Sequence, residues 1–248
     1  HHSPTEAYKV EIKEAIPAHA GLGSGTQLAL AISAAVLNLS RNNKNAIPYA
    51  ETVDRGERSG IGITSFKEGG FVIDGGRGVL DKAPPTIVRL PFPETWRIIL
   101  VLDPNRSGVH GEQEKKAFRI LPPYSDKTSG HLCRLTLMKL LPSVVEQDLH
   151  NFGSALSEIQ SLVGDHFSSA QGGTPWSSLA VGKIVKKLGE HGGTGLGQTS
   201  WGPTGFVFVA NDAQADDLCS LVKEEAKSLG LELKIVRGRN TGATVELL

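Results

Sequence analysis

Residues 28–39 form the longest run of small and apolar positions without a breaker, Leu-Ala-Leu-Ala-Ile-Ser-Ala-Ala-Val-Leu-Asn-Leu. Alanine and leucine are the strongest helix formers, so the run predicts a helix buried on most of its circumference. Just upstream, residues 8–15 alternate apolar with charged positions, the period-2 pattern of a half-buried strand. Residues 71–74 are a short apolar strand bracketed by glycine pairs, and residues 86–90 resume as strand after Pro84-Pro85. Residues 96–102, Trp-Arg-Ile-Ile-Leu-Val-Leu, read as the strongest central strand and end at Asp103-Pro104, where aspartate before proline suits a turn. Helical patterns follow at 131–141, stopped by Pro142, then at 143–163, 177–188 and 213–229. A shorter helix with proline in its first turn is expected over 48–55. Strands are expected at 206–210, 232–236 and 243–247, the last two joined by the basic turn 237–242. This order predicts an α+β chain in two lobes, 1–95 and 96–248.

Two glycine-rich stretches interrupt the pattern. Ile16-Pro-Ala-His-Ala-Gly-Leu-Gly-Ser-Gly-Thr-Gln27 holds three glycines in five residues and leads directly into the apolar helix. A glycine loop at a helix start lets backbone approach a ligand, and the unpaired first-turn N–H groups and the helix dipole favour an anion. Gly21, Leu22, Gly23, Ser24, Gly25 and Thr26 are therefore candidate phosphate-binding residues, with Ser24 and Thr26 also able to cap the helix or touch a metal. A capped core helix after a tight turn is the plainer alternative. No lysine follows the glycines, so the spacing is not that of a Walker loop. The second stretch runs from His191 to Gly205 and leads into an apolar strand. Between the two, Arg55 and Arg58 flank another flexible turn, and residues 105–114 form a polar loop entering a helix, carrying Arg106, His110 and Glu112. Loops at the end of a buried strand are where α/β proteins place their sites.

Charge narrows the partners. Lys+Arg and Asp+Glu both number 26 in 248 residues, so nothing points to nucleic acid or an anionic membrane. Cys133 and Cys219 lie far apart with no metal-type spacing, which suits free thiols in a cytoplasmic protein. No apolar run spans a bilayer, and no signal peptide is expected before the glycine loop. The large apolar helices make a homodimer the expected assembly.

Three blocks together resemble a known superfamily. Pro17-x-x-x-Gly-Leu-Gly-Ser24 resembles the phosphate loop of the GHMP kinases, Ser59-Gly-Ile-Gly62 lies where they carry Ser-Gly-Ile-Asp, and the block ending at Gly205 matches their late glycine motif. The resemblance implies a two-lobe fold with an N-lobe like domain 2 of ribosomal protein S5 and a ferredoxin-like C-lobe. It also implies that strands normally preceding the glycine loop are absent here. One departure matters. The kinases' aspartate activates the substrate hydroxyl, and Gly62 has no side chain to accept a proton.

One branch fits the departures. Gly21 to Gln27, Arg58-Ser-Gly-Ile-Gly62, Asp74-Gly-Gly76, Phe92-Pro-x-x-Trp96, Gln171-Gly-Gly173 and Gly197-Gln-x-Ser-Trp-Gly-Pro-Thr204 are similar to the β-ribofuranosylaminobenzene 5′-phosphate synthases. That family joins 4-aminobenzoate to phosphoribosyl pyrophosphate, releasing carbon dioxide and pyrophosphate, in tetrahydromethanopterin biosynthesis. The resemblance implies those two substrates and Mg²⁺, with Ser24 as a metal ligand. Arg55 and Arg106 join the glycine loop as phosphate-binding candidates. Asp74, Arg58, His110 and Glu112 are the catalytic candidates, a carboxylate being useful near an oxocarbenium-like anomeric carbon. Gln27, Gln198, Ser200 and Trp201 are the substrate-binding candidates, Trp201 or Trp176 for stacking on the ring. No hydroxyl-activating base is needed, so Gly62 is tolerable. An ATP-dependent small-molecule kinase is the alternative enzyme, and a non-catalytic phosphosugar-binding protein the alternative outside enzymes.

Overall fold

The structure is a computed structural model that describes residues 9–39, 59–76, 83–108 and 111–246. The expected helix over 48–55, together with Arg55, Arg58 and His110, lies outside the described residues, as does the side chain of Glu112.

Four strands build the larger sheet: β3 (Arg97–Leu102), β4 (Thr194–Gln198), β5 (Gly205–Val209) and β6 (Glu232–Val236). Their order is β4-β5-β3-β6 with every neighbouring pair antiparallel, the ferredoxin-like arrangement expected of the second lobe. Alternation along the central strands sends side chains to two layers. Ile99, Val101, Val207 and Val209 are fully buried in one cluster with Ile184 and Leu188 of α7 (Leu179–Glu190) and Val222 of α8 (Asp212–Ser228). Ile98, Phe206 and Phe208 face the other cluster, where Phe152 of α6 (Leu149–Phe167) meets Trp96 with ring centroids 4.9 Å apart.

The glycines of β4 let α6 lie close. A Cβ on Gly153 of α6 would stand 1.7 Å from Thr194 Oγ1, and one on Gly197 would stand 2.5 Å from Gln160 Cγ. Part of the second glycine-rich block is therefore strand packed under a helix. At the edge, Arg97 donates to both Asp212 carboxylate oxygens and to the carbonyls of Glu94, Thr95 and Trp96, tying β3 to the start of α8.

In the first lobe the described elements are α1 (Ser24–Leu39), α2 (Ile61–Glu68) and the antiparallel pair β1 (Phe71–Asp74) and β2 (Thr86–Leu90). Phe71 and Leu90 pack onto the Phe152 cluster. Helix α2 is boxed at both ends. Asp74 Oδ2 accepts from the Gly60 amide at 2.9 Å, while the Ala243 amide donates to the Phe66 carbonyl and the Gly70 amide to the Arg239 carbonyl, each at 2.7 Å.

Several expectations are corrected. Residues 9–15 form no strand, because β1 and β2 pair with each other and no described strand lies beside this segment. Helix α1 starts at Ser24, four residues before the apolar run, since the Gln27 amide already reaches the Gly23 carbonyl. Its burial is narrower than expected, with Leu30 and Ala34 buried and Leu28, Ile32, Leu37 and Leu39 exposed. Pro142 does not end a helix. Helix α4 (Asp126–Leu135) passes through a π turn (Thr136–Leu140) into α5 (Leu141–Glu146), where proline sits in the first turn and its missing N–H costs little. The expected helix over 143–163 is broken at Gln147, which is left-handed, and restarts behind the Asp148 cap. Residues 243–246 are not strand, because this segment bonds to α2. Between β3 and α4, α3 (Gly111–Ile120) continues the polar loop as expected. Cys133 and Cys219 are free, and no helix among the described residues is long and apolar enough to cross a membrane.

Candidate active site

A cavity of about 910 Å³ opens around the first glycine-rich stretch. Its wall includes Gly21, Gly23, Ser24, Gly25, Thr26 and Gln27 from the loop and the first turn of α1. His19, Gly21 and Gly23 are all left-handed, with φ of 56°, 73° and 73°. The two glycines adopt this conformation without the Cβ penalty and fold the chain back beneath the helix start. The first turn of α1 carries no acidic residue, so its unpaired N–H groups meet the cavity without an internal counter-charge. This arrangement suits a phosphate or pyrophosphate.

Two distant stretches close the wall. Ser200, Trp201 and Gly202 from the second glycine-rich block and Gly108 from the loop after β3 all line the cavity. The Gly108 amide donates to the His19 carbonyl at 2.9 Å, and Thr199 Oγ1 donates to the Ala20 carbonyl at 3.1 Å. Contact is tight enough that a Cβ on Gly21 would stand 2.8 Å from the Ser200 carbonyl, and one on Gly108 would stand 2.4 Å from that of Gly202. Gly23, by contrast, faces open space.

Trp201 is both packed and open to the cavity. It is only 7% exposed and left-handed, held edge-to-face by Phe118 and Phe167 at centroid distances of 5.3 and 4.7 Å, yet it lines the cavity. The remaining candidates lie elsewhere. Asp74 is engaged in structure, accepting from Ser59 Oγ and the Gly60 amide through Oδ2 and from the Gly76 amide through Oδ1, and it is not in the cavity wall. Gln198 accepts from the Ser177 amide and donates to Gln171 Oε1, bracing the glycine turn from behind. Arg106 donates to the Ser177 carbonyl at 2.8 Å, and Leu22 is outside the wall. Trp176 packs against Gly182, away from the cavity. Glu14 was missed by the sequence reading. It is the carboxylate among the described wall residues, but its place in an alternating apolar–charged segment made it look like a solvated strand face.

Gly62 sits in the first turn of α2 and faces the start of α1. Its carbonyl accepts from Gln27 Nε2 at 2.8 Å, and a Cβ there would stand 3.1 Å from Thr26 Cγ2. The position that resembles the kinases' aspartate thus lies beside the first glycine loop, occupied by a glycine.

This fold and site define a GHMP-type protein. The description GHMP kinases N terminal domain matches residues 1–70, and GHMP kinases C terminal matches residues 140–228. Solved structures of similar fold include a homoserine kinase from Cytophaga hutchinsonii (TM-score 0.63, 16% identity, 91% of this chain and 68% of that one). Another is a mevalonate diphosphate decarboxylase from Staphylococcus aureus (TM-score 0.59, 17% identity, 90% and 66%). Much nearer in sequence are two proteins named β-ribofuranosylphenol 5′-phosphate synthase. One, from Methanothermobacter thermautotrophicus, is 32% identical over 98% of this chain and 75% of its own length. The other, from Archaeoglobus fulgidus, is 33% identical over 96% and 76%. The chain belongs to the β-ribofuranosylphenol 5′-phosphate synthase family.

Proposed function

We propose that this chain joins C1 of phosphoribosyl pyrophosphate to a ring carbon of a para-substituted benzoate, with release of pyrophosphate and carbon dioxide. The observation that carries the reading is Gly62, a residue without a proton acceptor set against the phosphate loop. Transfer to a substrate hydroxyl needs a base there, whereas attack by a ring carbon does not. The relatives are named for a phenol, which favours 4-hydroxybenzoate over the 4-aminobenzoate that the family resemblance implied.

The balance needs no added oxidant or reductant. The ring π electrons form the bond to C1 as the pyrophosphate leaves with the C1–O pair. The ring–carboxylate bond then returns its electrons to the ring and carbon dioxide departs. Within this reading, the Gly21–Thr26 loop and the start of α1 bind the leaving pyrophosphate. Glu14 faces the same cavity and stabilises positive charge growing at C1. Trp201, braced by Phe118 and Phe167, offers a fixed surface for the ring. Arg55, Arg58, His110 and Glu112 keep the roles the family resemblance gives them. Mg²⁺ fits Ser24 Oγ as a protein oxygen donor, since the ion takes most of its ligands from phosphate and water. When bound it neutralises charge on the leaving group.

The test is turnover followed by mass spectrometry. Phosphoribosyl pyrophosphate, Mg²⁺ and either 4-hydroxybenzoate or 4-aminobenzoate are supplied in separate reactions, with ATP and homoserine in a third. A decarboxylated riboside phosphate, formed faster from 4-hydroxybenzoate, is expected. A phosphorylated product from the third reaction alone overturns the proposal.

A further inference from the structure

We propose that Thr26 and Gly62 act as one specificity-determining pair: the Thr26 methyl crowds the side-chain position of residue 62, behind the cavity wall, and so disfavours any side chain from α2 at the phosphate-loop end of the cavity. The proposal rests on the reaction above and deepens it, since it explains why the acceptor is a ring carbon rather than a hydroxyl.

No left-handed backbone forces glycine at 62, as it does at Gly21 and Gly23. Packing disfavours a side chain there instead. An ideal Cβ at residue 62 comes within 3.1 Å of Thr26 Cγ2, 3.6 Å of Thr26 Cβ and 3.8 Å of Gln27 Nε2. The first of these is closer than carbon atoms pack comfortably. Hydrogen bonds at both ends of helix α2 oppose its retreat. The Gln27–Gly62 hydrogen bond holds the two helix starts together, Asp74 holds Gly60, and the Arg239–Ala243 segment holds the far end. Rotation of Thr26 about χ1 remains, but it exchanges methyl and hydroxyl and so changes what the cavity wall presents. Thr26 is a wall residue, so a side chain at 62 is felt by the ligand through it. A hydroxyl acceptor must lose a proton to a base, and a closed position 62 supplies none. The ring carbon loses carbon dioxide instead and meets no such requirement.

The pair is tested by a double-mutant cycle of Thr26→Ser, which removes the methyl and keeps the hydroxyl, and Gly62→Ala. Riboside formation, inorganic pyrophosphate affinity by calorimetry and melting temperature are measured on each protein. Alanine in an exposed helical turn ordinarily stabilises relative to glycine. Here Gly62→Ala alone is expected to lower kcat/KM for the benzoate at least tenfold and to weaken pyrophosphate binding. Thr26→Ser alone sets the reference for both quantities, and the double variant should return to within threefold of it. The change should appear in KM for phosphoribosyl pyrophosphate as well as in kcat, whereas loss of folded protein lowers apparent kcat and leaves KM unchanged. Equal damage by Gly62→Ala in both backgrounds, or none in either, overturns the pair, as does unfolding of both alanine variants. If the wild type forms no riboside, the proposed reaction fails separately, and pyrophosphate affinity still reads the coupling.

Discussion

Gly21 and Gly23 share a φ of 73° but not a neighbourhood. A Cβ at Gly23 meets nothing within 4 Å, whereas one at Gly21 runs into Thr199 and the carbonyls of Ser200 and Gly202. Gly23→Ala should therefore cost only the left-handed strain, about 1–2 kcal/mol. Gly21→Ala should cost several times more and push the second glycine block off the cavity. Urea denaturation with pyrophosphate titration checks both. The glycine loop was legible because few residues but glycine serve a left-handed turn under a helix start. A glutamine among glycines looks like a ligand contact, and the structure pairs Gln198 with Ser177 and Gln171. Glu14 was hidden because its neighbours obey the alternation of a strand that does not form. Chain pattern records which faces are wet, not which wet face lines a cavity built by distant loops.

Helix α6 and strand β4 show how glycine works between elements. Gly153→Ala should prevent stable folding, because the added methyl lands inside van der Waals contact with Thr194, while the aromatic cluster fixes α6 and pairing with β5 fixes β4. Gly130, exposed in α4 with nothing near its Cβ position, is the control. Gly130→Ala should raise stability by about 0.5–1 kcal/mol in the same denaturation experiment. Arg97 is a junction between elements. Its guanidinium serves Asp212 and three carbonyls at once, and the Asp212 partnership raises the Arg97 pKa and lowers that of Asp212. Arg97→Met should lower the melting temperature further than Asp212→Asn, since it strands more acceptors. Elements whose pattern was long and periodic, such as α6, α7, α8 and β3, were legible in kind. Their ends were less so. The π turn and the left-handed Gln147 reset the helical phase, and periodicity carries no sign of either.

The molecule as a whole is held partly by charge on its outer helices. Lys183 and Lys187 of α7 both reach Glu225 of α8 and draw its pKa down from 4.5 to about 2. A depressed folded-state pKa stabilises above the unfolded value and loses that contribution as pH falls through the folded value. Wild type should therefore lose melting temperature between pH 4.5 and about 2 more steeply than Glu225→Gln, while being the more stable of the two at neutral pH. The two-lobe α+β plan was legible at this scale, from strand order and the two glycine blocks. What no pattern along the chain records is that residues 19–20, 108 and 199–202 meet at one seam. That seam gives the Gly108 N–H a use as a clock. Its acceptor is the His19 carbonyl, far away in sequence, so the amide is sheltered only once both lobes have closed on each other. In pulsed deuterium labelling during refolding, its protection marks the birth of the cavity rather than of any helix or sheet.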